Sequence, residues 1–206
     1  MEIYSSENEQ VDAVRNFFRE NGKAIILGVV LGAGGLFGWR YWQTHQLTSA
    51  NEASLGYETV IAALKAGDSN AESATASFIS SNANNYGAMA ALELAKHLVD
   101  KGDLATAQKQ LEVAGGQTKD AELLALINLR LGRIQFAQKQ IEPALATLSK
   151  VKSSSWSAEA ELTRGNIFAS QGKMSEAKAA YNAGLGLNPS QFVESQIKLQ
   201  LENIGA

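Results

Sequence analysis

The sequence contains no cysteine and only two prolines among its 206 residues. Without thiols it has no disulfides, no thiolate metal sites and no cysteine nucleophile. The formal net charge of -3 gives no strongly basic surface, so we expect no nucleic-acid partner. Glycine is the unevenly distributed residue, because six of the 18 glycines lie within residues 22–38.

A short apolar run in this glycine-rich stretch predicts a single transmembrane helix. Residues 24–39 carry no charged side chain, and Tyr41 and Trp42 follow at the position of an interfacial aromatic belt. With these flanking residues the helix covers about 28 Å, close to the roughly 30 Å of a hydrocarbon core. A buried soluble helix is disfavoured because glycine destabilises helices in water. A cleaved signal peptide is disfavoured because the leader holds five acidic residues.

Basic residues around the run predict its orientation. Arg15, Arg19 and Lys23 precede it, whereas only Arg40 closely follows it. The positive-inside rule then places the N-terminus in the cytoplasm, which is a single-pass type II topology. We expect three parts: a cytoplasmic tail over 1–22, a transmembrane helix over 23–42 and a far-side, periplasmic domain over 43–206.

Glycines within the predicted span form two small-xxx-small pairs. Gly28 and Gly32 make one pair, and Gly34 and Gly38 make the other. Residues four apart lie on the same side of a helix, and small residues there let another membrane helix approach closely. These four glycines are the predicted transmembrane partner face.

The chain after the span repeats a helical pattern. Each copy has a small residue, an Ala twelve positions later and a large apolar residue four positions after that. The three sets are Ala95, Ala107 and Leu111; Gly132, Ala144 and Leu148; and Gly165, Ala177 and Tyr181. A fainter copy is expected at Ala62, Ala74 and Phe78. Four extra residues separate the first two copies, and we expect them in a loop over 115–120. Residues 190–203 predict a capping helix.

This spacing resembles the tetratricopeptide repeat, a helix–turn–helix unit of about 34 residues. The resemblance implies an all-α solenoid of three to four repeats plus the capping helix, in which the first helices line a groove. Carried onto this chain, the groove is largely apolar and suits a polypeptide. Its residues are Met89, Leu92, Lys96 and Val99, then Leu126, Leu129, Arg133 and Phe136, then Leu162 and Asn166. The alternative for the apolar ones is that they belong to the core.

No constellation for catalysis is visible in the sequence. His45 and His97 each lack a second ligand at metal-binding spacing. Phosphate-loop, nucleophile-elbow and dinucleotide motifs are also missing. We therefore expect no enzymatic activity, no metal and no cofactor.

The chain as a whole resembles the YfgM family of ancillary SecYEG translocon subunits. The matching segments are the opening Met-Glu-Ile-Tyr, Phe17-Phe18, and residues 20–24, 38–42, 86–88, 92–95 and 127–131. The resemblance implies a bacterial inner-membrane protein with a periplasmic repeat domain. It also implies association with SecYEG and with the periplasmic chaperone PpiD, and a role in the trafficking and folding of exported polypeptides.

The sequence thus predicts a non-enzymatic adaptor that binds PpiD, exported polypeptides or both through its repeat domain. Two alternatives stay open. One is a membrane-anchored scaffold for another cell-envelope complex. The other, also implied by the resemblance, is a negative regulator of an envelope-stress response regulator.

Overall fold

The computed structural model describes residues 3–205, and all regular secondary structure in this range is α-helical. The helices are α1 (Ile3–Ala66), α2 (Ala71–Ser81), α3 (Asn85–Asp100), α4 (Leu104–Gln117), α5 (Ala121–Ala137), α6 (Ile141–Leu148), α7 (Ser157–Ser170), α8 (Met174–Leu185) and α9 (Gln191–Asn203). The chain forms two compact units, Met1–Glu52 and Ala53–Ala206. The all-α prediction is confirmed.

The first unit is the N-terminal part of α1, and its apolar side chains are exposed. Leu36 is 70% exposed and Phe37 is 73% exposed. An 18-residue window of this helix has a mean hydropathy of 1.6 and no buried residue, so the helix is long and apolar enough to cross a membrane. At the C-terminal end of the apolar run, the rings of Trp39 and Trp42 lie 5.5 Å apart. Apolar surface of this extent is stable in lipid rather than in water.

The second unit contains three helix pairs that turn in the same way. Gly102, Lys139 and Gly172 have φ angles of 84°, 63° and 72°, each in the turn between the two helices of a pair. All three lie seven residues after the small residue of their copy. Glycine adopts this left-handed conformation without penalty, so the two glycines fit the turn and Lys139 is the strained member.

The two helices of a pair cross where the small residue lies beneath a large side chain. A Cβ atom on Gly132 would stand 2.6 Å from Leu148 Cγ, and one on Gly165 would stand 2.2 Å from Tyr181 Cε1. The Ala144 carbonyl oxygen is farther from the Gly132 position, at 3.4 Å. The glycine therefore makes room for the large residue of the second helix more than for its alanine.

Apolar packing continues from each pair to the next. The first core cluster joins α1 to α5, the second joins α5, α6 and α7, and the third joins α7, α8 and α9. The capping helix α9 buries Val193 and Ile197 in the third cluster. Each pair thus covers an apolar side of its neighbour, as stacked helical repeats require.

The fainter first copy has a different register from the one expected. Ala62 and Ala74 are exposed and make no crossing. The close approach lies instead at Gly56, where a Cβ atom would stand 2.7 Å from the Phe78 ring. Alanine is common throughout this region and therefore identifies no crossing by itself.

Half of the loop expected over residues 115–120 is helix. Helix α4 continues to Gln117, and only residues 118–120 connect it to α5. Asp120 starts α5 as its N-cap, accepting a hydrogen bond from the Leu123 backbone nitrogen at 2.9 Å. The additional residues of this copy therefore lengthen helices.

Candidate functional site

Five of the ten predicted groove residues lie in two pockets on one surface, which we call the α3/α5 face. Met89 and Lys96 are seven residues apart on α3, and Leu126 and Arg133 are seven apart on α5. Seven residues are about two helical turns, so each pair lies on one side of its helix with a rise of about 10 Å. Both helices therefore contribute to both pockets.

The first pocket has an almost wholly apolar surface to which three cationic residues contribute their aliphatic stems, and we call it the basic pocket. Its volume is about 200 Å³. It is lined by Ala95, Lys96, Val99, Leu111, Arg130, Arg133 and Ile134. Three of these seven residues are cations, whereas the remaining four are apolar.

The cationic groups of the basic pocket have no carboxylate partner at ion-pair distance. Among the side chains that the structure describes, no carboxylate oxygen lies within 4.0 Å of the cationic groups of Lys96, Arg130 or Arg133. Arg130 donates to the Leu92 carbonyl oxygen at 3.4 Å, and Arg133 Nε donates to Thr163 Oγ1 at 3.3 Å. The two guanidinium groups therefore bind neutral acceptors on α3 and α7.

The guanidinium of Arg133 has a lowered pKa, although the residue is exposed. Desolvation is the main cause, Glu159 of α7 opposes the shift, and the charge of Arg130 adds to it. Arginine stays protonated through such a shift, because its ordinary pKa is so high.

The second pocket is wider and has an acidic edge, and we call it the aromatic pocket. Its volume is about 500 Å³. It is lined by Asn85, Tyr86, Met89, Asp120, Glu122, Leu123, Leu126 and Trp156. Asp120 is held as the N-cap of α5, and Glu122 accepts a hydrogen bond from Ser153 Oγ at 2.5 Å. The pocket suits large apolar side chains of a ligand.

The other predicted groove residues lie elsewhere in the structure. Leu92 is 4% exposed and Leu129 is 1% exposed, so both are core residues. Phe136 packs against the second core cluster and Leu162 against the third. Asn166 accepts a hydrogen bond from the Tyr181 hydroxyl at 2.8 Å. The repeat register alone does not separate these inward positions from those of the open surface.

Sequence reasoning missed several residues of the two pockets. Arg130 stands three residues before Arg133, and this spacing places both on one side of the helix. The spacing could therefore have indicated Arg130 as a pocket residue. Trp156 precedes α7 in a serine-rich connection, outside the repeat register, and no sequence signal indicates it. Leu111 was predicted as a crossing residue and also forms part of the basic pocket.

The predicted transmembrane glycines lie on two helix sides rather than one. At about 100° per residue, Gly28 and Gly32 are separated from Gly34 and Gly38 by about 120° around α1. No atom lies within 4 Å of a Cβ placed on any of the four. One partner helix can therefore cover one pair only, and each pair offers a separate open surface.

The described residues contain no metal-binding cluster of three or more histidine or acidic side chains. The Nε2 atom of His97 instead lies 3.1 Å from the Oε1 atom of Glu72. Lys101 hydrogen-bonds to the same carboxylate, which lowers the pKa of Glu72, and His97 adds to the shift. This cluster joins α2 to α3.

Comparison with known proteins decides the family. A family model described as a tetratricopeptide repeat-like domain matches residues 15–206. The ancillary SecYEG translocon subunit of Escherichia coli (strain K12) is 42% identical over 204 residues, which cover 99% of each chain. The chain belongs to the family of ancillary SecYEG translocon subunits. The family member from Haemophilus influenzae is 34% identical, with 98% of this chain and 99% of the relative covered.

Solved structures show the same fold outside the family. A structure described as the crystal structure of MamA protein aligns with a TM-score of 0.55 at 20% sequence identity, covering 74% of this chain and 82% of that chain. This likeness shows the fold alone, and it confirms the tetratricopeptide-like solenoid. Family membership and the fold together favour a non-enzymatic adaptor.

Proposed function

We propose that this chain is an inner-membrane adaptor of the SecYEG translocon that binds polypeptides through the α3/α5 face. Family membership supports the translocon association, because the related proteins are ancillary SecYEG translocon subunits. The observation that carries the binding role is the pair of open pockets on this face, one cationic and one aromatic. The proposed ligands are a periplasmic chaperone of the PpiD type, exported polypeptides or both.

In this proposal the chain has the three parts expected from its sequence. Residues 1–22 are a cytoplasmic tail, 23–42 the transmembrane helix and 43–206 the periplasmic repeat domain. Support comes from the exposed apolar surface of α1 and from the excess of basic residues before its apolar run. This type II arrangement places the α3/α5 face where exported chains emerge.

The anchor contributes a second contact in this proposal. The glycine pairs Gly28/Gly32 and Gly34/Gly38 would each receive a neighbouring membrane helix, because a helix backbone can approach glycine closely. The anchor then secures the association with the translocon, and the repeat domain holds the polypeptide. The two contacts are separable by substitution.

Purification of the full-length chain from membranes in mild detergent tests this function. We expect recovery of SecYEG together with a PpiD-type chaperone. The double substitution Gly28→Leu and Gly34→Leu is expected to lower SecYEG recovery about tenfold, because the added side chains keep the partner helix backbone away from both pairs. Ala33→Leu is the matched control, because Ala33 lies about 120° from both glycine pairs.

Two results would count against the proposal. Recovery of cell-wall synthesis proteins without SecYEG would favour the alternative of a scaffold for another envelope complex. An equal loss with Ala33→Leu would show that added bulk anywhere on the span weakens the complex, which would remove the glycine pairs from the proposed contact.

A further inference from the structure

The N-terminal part of α1 has an apolar face that lies before the apolar run. Val11, Val14 and Phe18 are each more than half exposed, and none of them belongs to a core cluster. At about 100° per residue, these three side chains share an arc of about 60° around the helix. Phe17 borders the arc, with its ring 5.9 Å from that of Phe18. We call this exposed apolar surface the tail face.

Charged side chains are distributed unequally around the tail face. Arg15 and Arg19 lie about 70° and 110° from its centre, and their long stems can bring both guanidinium groups to its edge. Asp12 and Glu20 lie farther away, at about 130° and 150°. Among the side chains that the structure describes, neither arginine forms an ion pair. The tail face therefore has a cationic edge, whereas the carboxylates lie toward the opposite side of the helix.

The tail face is close to the predicted transmembrane helix. Phe18 precedes Lys23 by a rise of about 8 Å, and Val11 precedes it by about 18 Å. The polar layer on each side of a hydrocarbon core is only about 5–8 Å thick. An upright helix would therefore leave Val11 and Val14 in water, whereas a segment lying along the membrane surface places the whole face against lipid.

Gly22 lies between the tail face and the transmembrane helix. No atom lies within 4 Å of a Cβ placed on Gly22, so no close contact requires glycine there. Apart from proline, glycine is the residue that favours helix least, so α1 changes direction most readily at this position. The transmembrane helix also holds the segment beside the bilayer, and this tethering raises its effective concentration at the surface. A small apolar face with two cations is then sufficient for binding.

We propose that residues 11–21 bind the membrane surface as an amphipathic segment that prefers anionic lipid headgroups. The tail face enters the boundary between headgroups and acyl chains, and Arg15 and Arg19 pair with the headgroups at its edge. Lipid is the occupant because the face belongs to the same helix as the apolar run that crosses the bilayer. This contact goes beyond the proposed function and rests on it only for the membrane-spanning position of residues 23–42.

Fluorescence quenching by lipid, measured on the full-length chain in vesicles, tests the proposal. The chain has no cysteine, so a single fluorophore can be attached at Val14→Cys or at Asn16→Cys. The two positions have nearly equal height on an upright helix, but they lie about 30° and 170° from the centre of the tail face. In vesicles of phosphatidylcholine and phosphatidylglycerol with a quencher on the acyl chains, we expect several-fold stronger quenching at Val14. Equal quenching at the two positions would overturn the proposal.

Substitution of the arginines tests the preference for anionic headgroups. The double variant Arg15→Gln and Arg19→Gln is expected to lower the bound-to-free ratio of the segment about tenfold or more, because each basic residue at an anionic surface contributes about fivefold. Vesicles of phosphatidylcholine alone should give the same loss. Arg40→Gln is the matched control, since Arg40 is a cation at the other end of the apolar run. Unchanged quenching in the double variant, or in phosphatidylcholine alone, would overturn the headgroup preference.

Failure of this inference is distinguishable from failure of the proposed function. The vesicles contain no SecYEG, so the quenching reports contact with lipid alone. Equal quenching at the two positions would leave the recovery of SecYEG from membranes, and with it the adaptor role, unaffected. Loss of SecYEG recovery from the unsubstituted chain would instead overturn the proposed function and leave the lipid contact in place.

Discussion

Replacing Gly165 with alanine is expected to destabilise the repeat domain by about 1–2 kcal/mol. The added Cβ atom would lie 2.2 Å from Tyr181 Cε1, far inside contact distance. The Tyr181 ring is fully buried, and its hydroxyl is fixed by a hydrogen bond to Asn166 at 2.8 Å, so the ring has little room to move. Overpacking of this kind typically costs about 1–3 kcal/mol. The better helix propensity of alanine returns only part of that, at most about 1 kcal/mol.

Urea unfolding of the full-length protein in detergent, followed by circular dichroism, measures this effect. Gly116→Ala is the matched control, because Gly116 lies in α4 with no atom within 4 Å of its Cβ position. It is expected to leave stability unchanged or raise it by at most about 1 kcal/mol. Equal destabilisation by both substitutions would contradict the crossing described for α7 and α8.

Leu129→Ala is expected to destabilise the repeat domain by about 2–5 kcal/mol, although the repeat register predicts Leu129 as a groove residue. Leu129 is 1% exposed and belongs to the cluster that joins α5, α6 and α7. Truncation of a buried leucine removes apolar contacts and leaves a cavity, and the two costs add. The same unfolding measurement applies.

Val99→Ala is the comparison for Leu129→Ala, since the register predicts both residues in the groove. Val99 is 37% exposed and lines the basic pocket. Substitutions at such surface positions usually change stability by about 0.5 kcal/mol or less. If Leu129→Ala also stayed within that range, its burial in the second cluster would be refuted.

These two residues show how far the sequence predicts the candidate site. Repeat offsets identify residues that meet within a pair, because a crossing requires the same small and large residues in every copy. Leu92 and Leu129 face the layer between successive pairs, and only the stacking of pairs decides that they are covered. The register therefore located the α3/α5 face but did not separate its open positions from its buried ones.

Helix limits and the first copy show the same dependence on packing. Ala62 and Ala74 matched the repeat offsets, yet the close approach forms between Gly56 and the Phe78 ring. Residues 115–117 were expected in a loop because four extra residues separate the two copies there, but they extend α4. In both cases the repeat spacing alone did not predict where the helices end or where they meet. The apolar run, by contrast, was predictable because the hydropathy and length of a helix depend on its sequence alone.

Site-specific photo-crosslinking in intact membranes tests the central claim most directly. A photoreactive residue placed at Lys96 or Leu126 samples the two pockets of the α3/α5 face, whereas one at Lys109 or Lys178 samples exposed positions on second helices. We expect Lys96 and Leu126 to trap a PpiD-type chaperone or exported polypeptides. Trapping of these proteins from Lys109 and Lys178, with none from Lys96 and Leu126, would contradict polypeptide binding at this face.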